Sequence, residues 1–359
     1  MTQGAVAEKE TMDSFILTEK IGTAGVITLN RPKALNSIDL GMIRDLQEAL
    51  KVWKEDFSIS HILVKGAGEK AFCAGGDVRS VYDAWERRDR DYMDAIFREE
   101  YELNYALSVY PKPYISLING ISMGGGLGIS IHGSHRIVTE KTVMAMPESA
   151  IGFFTDIGAS FFLNKCPGKI GIYLGLTGDR VKGADALYCG LGTHFIDSEK
   201  LPSVYQQLLS ASNQKDIDRI LNEAITLPEK SFLEENQNLI DELFSGETVE
   251  DILMALKTDA SEFAQKCFEG LQKKSPTSLK IIFELLKRHQ GKTLKECLVT
   301  EFRLSQHFVE QPDFFEGVRA LLVDKDQKPV WIPSSLSEID QDAISWYFEE
   351  LGEKELKLS

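Results

Sequence analysis

Apolar residues in the first half of the chain come in short runs broken by turn-formers, whereas beyond about residue 158 they recur at helical spacing, so strands are expected first and helices later. The runs at 15–19 and 26–30, separated by a glycine-bearing turn at 22–25, predict a hairpin. After RPKALNS at 31–37, Asp39 is placed to cap a helix in which Leu40, Ile43, Leu46, Leu50 and Trp53 share one face to about residue 55. A short buried strand follows at 62–66. The segment KAFCAGGDVRSVYDAW then passes from a strand end through Gly75 and Gly76 into a helix capped near Asp77. A long charged helix over 88–110 contains FREEY at 97–101, most of its charges forming a solvated face. Lys112 and Pro113 introduce a strand at 114–118, a glycine-rich turn leads into another helix, and 136–139 and 143–146 supply further strands. This order is the grammar of a layered α/β domain. The predicted organisation is an α/β core over 12–200 and a mainly helical region over 201–359, punctuated at Pro228, 275–277, Pro312 and PVWIP (329–333), with no fixed-period repeat.

Charge narrows the partners. At 359 residues the formal net charge is −15, and no basic run exists to follow a nucleic-acid backbone. Residues 114–135 are uncharged and long enough to span a bilayer, but their glycines, serines and Asn119 read better as buried strand, turn and helix, so no membrane partner is expected. Cysteines 73, 166, 189, 267 and 297 are odd in number and lack CxxC spacing, which suits reduced thiols. The N-terminal run MTQGAVAEKETMDSF resembles neither a secretory leader nor an Arg-rich transit peptide. A cytoplasmic location is the expectation, with the mitochondrial matrix as the alternative if a presequence has been removed.

Candidate chemistry centres on MPESAIGFFTD at 146–156. Its two carboxylates, Glu148 and Asp156, sit in apolar company; if folded in beside Met146, Phe153 and Phe154 they are desolvated and their pKa rises toward neutrality, and if the loop is exposed they simply face water. The turns CAGGD at 73–77 and MGGGLG at 123–128 can each present a backbone N–H to a common point, as an oxyanion hole requires; the alternative is two tight turns without a ligand. Neither turn carries a dinucleotide or phosphate-loop fingerprint, which disfavours NAD and ATP. GISMG at 120–124 matches the nucleophile-elbow pattern around Ser122, with Asp179 and His194 following in hydrolase order. His132 and His135 have a spacing that could share a metal, but without a third ligand nearby no metal is expected. Cys73, with no positioned histidine, reads as a packed thiol.

CAGGD at 73–77, NGISMGGGLG at 119–128 and MPESAIGFFTDIGAS at 146–160 together resemble the crotonase superfamily and, within it, the 3-hydroxyisobutyryl-CoA hydrolase family. RPKALNS, FREEY, HGSHRIVTEK at 132–141 and LTGDRVKGADALYCGLGTHFIDSEKL at 176–201 extend the match over nearly the whole chain. The resemblance implies a crotonase-like α/β spiral of repeated β-β-α turns with a helical C-terminal part. It also implies hydrolysis of a short 3-hydroxyacyl-CoA thioester in valine catabolism, 3-hydroxyisobutyryl-CoA or 3-hydroxypropionyl-CoA. By analogy Gly76 and Gly125 supply the oxyanion-hole N–H groups, which argues against a Ser122 nucleophile. Glu148 acts as nucleophile or base, Asp156 orients water or the substrate hydroxyl, and Glu100 contacts substrate. Lys33, Ala34, Leu35, Ala71, Asp77 and Val78 are expected along the CoA. No cofactor is implied beyond the CoA of the substrate. Hydratase relatives carry a second glutamate where this chain has Gly128. Members form trimers or pairs of trimers, so a homo-oligomer is implied unless the long C-terminal part covers that surface. The alternatives are a non-catalytic, ribosome-associated or assembly protein on the same fold and an enoyl-CoA hydratase or isomerase. If Glu148 and Asp156 serve one carbonyl, the segment must bend at Gly152, because a straight helix would set them about 12 Å apart along its axis.

Overall fold

The computed structural model describes residues 14–358; the N-terminal run up to residue 13, read above for targeting signals, lies outside the described residues. The hairpin forms as β1 (Ile16–Ile21) and β2 (Ala24–Leu29), antiparallel with Ile16 opposite Leu29. Helix α1 (Leu40–Glu55) starts where Asp39 accepts from Met42 N at 2.9 Å, and its buried stripe ends at Trp53. That indole packs so closely on the hairpin that a Cβ at Gly25 would lie 2.6 Å from it.

Chain then passes through β3 (His61–Gly66), β4 (Ala71–Cys73), α2 (Val78–Glu86), α3 (Arg90–Ser108), β5 (Tyr114–Ile118), β6 (Ile121–Met123), α4 (Gly125–Ile131), β7 (His135–Val138) and β8 (Val143–Ala145). Two-residue strands β9 (Val181–Lys182) and β10 (His194–Phe195) close the order. Strands β1-β2-β3-β5-β7-β10 form one sheet and β4-β6-β8-β9 a second. Each successive pair, β3 and β4, β5 and β6, β7 and β8, gives its first strand to the large sheet and its second to the small one. This is the spiral of β-β-α turns that the resemblance implied. Strand β6, hidden within the glycine-rich stretch, is too short to show a period.

The large sheet is covered on both faces, which is why its parallel strands read as unbroken apolar runs. Ile27, Ile62, Val64 and Ile118 face the main core, while Val26, Leu63, Ile115 and Leu117 meet Leu201, Val204, Ile217 and Leu221 from the helices Leu201–Leu208 and Gln214–Ala224. The main core continues without a break across residue 200: Phe302, Phe308, Phe314 and Leu358 share it with strand residues of the first half. The uncharged stretch 114–135 folds as β5, β6 and α4, and no helix among the described residues is long and apolar enough to cross a membrane. All five cysteines are free and buried.

Candidate active site

Parallel pairing of β4 with β6 places the two glycine turns side by side. After Cys73 the chain turns through Gly75 at φ +127°, and Gly76 bridges to Ile38, with Asp77 N donating to Ile38 O at 2.7 Å. After Met123 it turns through Gly124 at φ +45° into α4. A Cβ built on Gly125 would stand 3.0 Å from Gly76 N and 2.7 Å from Glu100 Oε1, so only glycine leaves room between these groups. Neither the Gly76 nor the Gly125 N–H has an acceptor among the described residues. Two unsatisfied backbone donors beside one cavity form the geometry of an oxyanion hole.

Three carboxylates converge on the same place. Glu148 opens a single 3-10 turn, Glu148–Ile151, which Gly152 ends at φ +68°. The bend required of the 146–156 segment is therefore present, and a Cβ at Gly152 would strike Asp313 O at 2.3 Å. Glu148 Oε1 lies 2.9 Å from where a Gly124 Cβ would be, and its Oε2 is buried without a partner. Asp156 accepts a hydrogen bond from Tyr101 OH at 2.7 Å. Glu100, one residue earlier on α3, is buried with Oε1 unpartnered. Phe153 stacks with Phe97 at 5.5 Å and packs on Phe314 at 4.6 Å, an apolar wall beside the three acids.

Burial raises the proton affinity of all three acids, since each charged form loses its hydration. Glu148 is pushed well above the ordinary carboxylate range by burial and then by the Asp156 charge, with Lys274 opposing. Asp156 is also raised by burial, against the pull of the Tyr101 hydrogen bond. Glu100 is pushed up to about 8, by burial first and the Asp156 charge second. The stability contributed by protonated Glu100 is complete below its unfolded value near 4.5 and is lost as pH rises through about 8. Glu100→Gln is expected to flatten the fall in melting temperature between pH 5 and pH 8.5; differential scanning fluorimetry across that range checks this, and an unchanged slope would contradict it.

The cavity holding these groups measures about 790 Å³. Lys33, Ala34, Leu35, Asp77 and Val78 line it together with Gly76, Glu100, Gly125, Glu148 and Asp156. Ala71 is not among these lining residues: it is buried in β4, its carbonyl accepting from Asn36 Nδ2 at 2.9 Å. Asp77 caps α2 through Ser80 N and is held by Arg31 at 3.0 Å. Sequence reasoning missed Tyr101, although it adjoins Glu100 in FREEY. It also missed Phe314, Leu321, Leu322 and Lys325, which the C-terminal region brings to the cavity wall from more than 150 residues beyond Asp156.

The competing motifs do not assemble. Ser122 is wholly buried with its Oγ unpartnered, Asp179 is bonded to Tyr173 OH, and His194 Nδ1 pairs with Thr193 Oγ1. His132 Nε2 is 2.7 Å from Ile157 O and His135 Nδ1 is 2.8 Å from Ser134 Oγ, and no metal-ligating cluster exists among the described residues. Burial drives the Cys73 thiol up to about 12, away from a reactive thiolate. At Gly128 a Cβ would meet Asn104 Nδ2 at 3.0 Å and Ile157 Cβ at 3.2 Å, so those side chains occupy the room a glutamate would need.

Residues 24–348 match the protein-family model described as enoyl-CoA hydratase/isomerase. The mitochondrial 3-hydroxyisobutyryl-CoA hydrolase of Xenopus laevis is 50% identical over 353 residues, covering 96% of this chain and 91% of that protein. The protein of the same name from Homo sapiens is 46% identical over 349 residues, covering 95% and 90% respectively. Among solved structures, a carnitinyl-CoA dehydratase from Mycobacterium thermoresistibile superposes with a TM-score of 0.91 at 36% identity, covering 96% of this chain and 99% of its own. An enoyl-CoA hydratase from Rhodobacter sphaeroides superposes with a TM-score of 0.88 at 32% identity, covering 96% and 100%.

Proposed function

The chain belongs to the enoyl-CoA hydratase/isomerase family, and on that premise we propose that it hydrolyses the thioester of a short 3-hydroxyacyl-CoA, 3-hydroxyisobutyryl-CoA before all. The observation that carries this reading is the meeting of two free backbone N–H groups with buried Glu148 and Asp156, in a chain whose hydratase position is Gly128. The thioester oxygen would accept from Gly76 N and Gly125 N, which stabilise it as negative charge develops. Glu148 then either takes the proton of the attacking water or attacks the carbon itself to give an anhydride that water opens. In both routes the C–S bond breaks, the CoA sulfur leaves with the electron pair and takes up a proton, and the acyl carbon gains one oxygen. That oxygen comes from water when Glu148 acts as base, and from water or from Glu148 itself in the anhydride route, according to which anhydride carbon the water attacks. Asp156, held by Tyr101, is suited to bind the substrate hydroxyl or that water. Lys33 and Lys325 are the cations available at the cavity wall for the CoA phosphates.

Hydration is the second reading, favoured by the names of the two superposing structures. Against it stands the absence of a carboxylate at Gly128, where Asn104 and Ile157 fill the space. The ribosome-associated alternative is not favoured, because every acid and donor of the site is retained. Incubation with a panel of acyl-CoA thioesters decides: CoA thiol release is expected from 3-hydroxyisobutyryl-CoA, with no loss of enoyl absorbance from crotonyl-CoA. The opposite pattern would replace hydrolase by hydratase.

The hydrolase relatives are named mitochondrial, and we extend a mitochondrial location to this chain in place of the cytoplasmic expectation. Buried reduced thiols fit either reducing compartment and never separated the two.

A further inference from the structure

Behind Asp156 lies a polar cluster that none of these steps uses. Glu301, on the helix Leu294–Phe308, is wholly buried. Its Oε2 accepts from Gly158 N at 2.6 Å, and its Oε1 accepts from Ser160 N at 3.1 Å and Ser160 Oγ at 2.5 Å. Ser160 Oγ is also 2.7 Å from His289 Nδ1. A serine between a histidine and a glutamate has the look of a nucleophile's array, yet Ser160 has no exposed surface and substrate cannot reach it.

What the cluster holds is the turn after Asp156. Ile157 sits at φ +57°, where a β-branched side chain is rarely found, and Gly158 follows at φ +82°. The turn is gripped on its other side by His132, 2.7 Å from Ile157 O, at the C-terminal end of the helix whose first residue is Gly125. Phe302, next to Glu301, packs edge-on against Tyr101, the donor to Asp156.

We propose that Glu301 is a positioning residue for the thioester hydrolysis: it holds residues 157–160 in the left-handed turn that presents Asp156 to the cavity, and so ties the C-terminal helical region to the site. This rests on the hydrolase reading. Without the three accepted hydrogen bonds, Ile157 relaxes toward negative φ, which rotates the Asp156–Ile157 peptide and draws the carboxylate from its place. Glutamine cannot substitute. Its one carbonyl oxygen serves one side of the turn, while its NH₂ group faces an N–H donor on the other.

The test is Glu301→Gln in the full chain. The expected result is a fall in kcat of about 10- to 100-fold with KM within about threefold, since misplacement of a catalytic group costs rate more than binding. Deuterium uptake over residues 157–162 is expected to quicken by about tenfold or more. A folded variant with wild-type kcat and unchanged uptake would overturn the proposal. If Glu301→Gln does not fold, Ser160→Ala, which removes one of the three donors, is expected to move both readouts in the same direction by smaller factors; no change in either overturns it. Should the wild-type chain release no CoA, the hydrolase reading fails on its own. The uptake comparison needs no substrate and still decides whether Glu301 holds the turn.

Discussion

Glu148→Gln is expected to lower kcat for CoA release by about 10³-fold or more while leaving KM within a few-fold. Glutamine keeps the shape and can sit where Glu148 Oε1 approaches Gly124, but it can neither attack a carbonyl nor take a proton from water. The loss cannot be blamed on unfolding. The native carboxylate is buried, its Oε2 lacks a partner, and its proton affinity is raised, so replacing it with a neutral amide is expected to hold or raise the melting temperature at pH 8. Thiol-reagent assays at saturating substrate, paired with thermal melts, separate the two. Near-normal turnover in Glu148→Gln together with inactivity in Ser122→Ala would sink the carboxylate mechanism. Single-turnover hydrolysis of wild type in ¹⁸O water goes further: label enters Glu148 only if an anhydride is hydrolysed at the carboxylate carbon.

The second large effect is expected at Gly125. Gly125→Ala places a methyl group 2.7 Å from Glu100 Oε1 and 3.0 Å from Gly76 N, so it both wedges apart the acids and the donors and pushes the two N–H groups out of register. Loss of one oxyanion donor costs on the order of 10² to 10³ in rate, and here both donors shift. Binding of free CoA, which lacks the thioester carbonyl, should change only slightly by calorimetry. Gly76→Ala is the contrast, because a Cβ there meets no protein atom within 4 Å. Its melting temperature should match wild type, while that of Gly125→Ala falls. Equal behaviour of the two alanine variants would mean that the crowding at Gly125 is not what excludes a side chain.

Legibility followed locality. Helix α1 was visible because Asp39 and the stripe from Leu40 to Trp53 are both written within one element. Strands β3 and β5 were visible as apolar runs because helices cover both faces of their sheet. Strand β6, only Ile121–Met123, was not, since its pairing with β4 and β8 depends on residues far away in the chain. Ala71 neighbours the CAGGD turn in sequence, yet as part of β4 its side chain is enclosed and does not line the cavity. The cavity's C-terminal wall, Phe314, Leu321, Leu322 and Lys325, carries no local signal of a site.

By itself the sequence determined which groups could do chemistry: two glycine turns able to bare backbone N–H groups, two acids in apolar company with a glycine between them, and, by resemblance, a glycine where hydratase relatives carry a second glutamate. Only the tertiary structure decided that the turns adjoin, through the β4 and β6 pairing, and that Glu148 folds back over Gly124 while Tyr101 bonds Asp156 and Glu301 bonds the turn that follows it. The reason is physical. A backbone conformation is set by a few neighbouring residues, but desolvation, and with it the raised proton affinity of a carboxylate, comes from side chains that only the packed chain brings together.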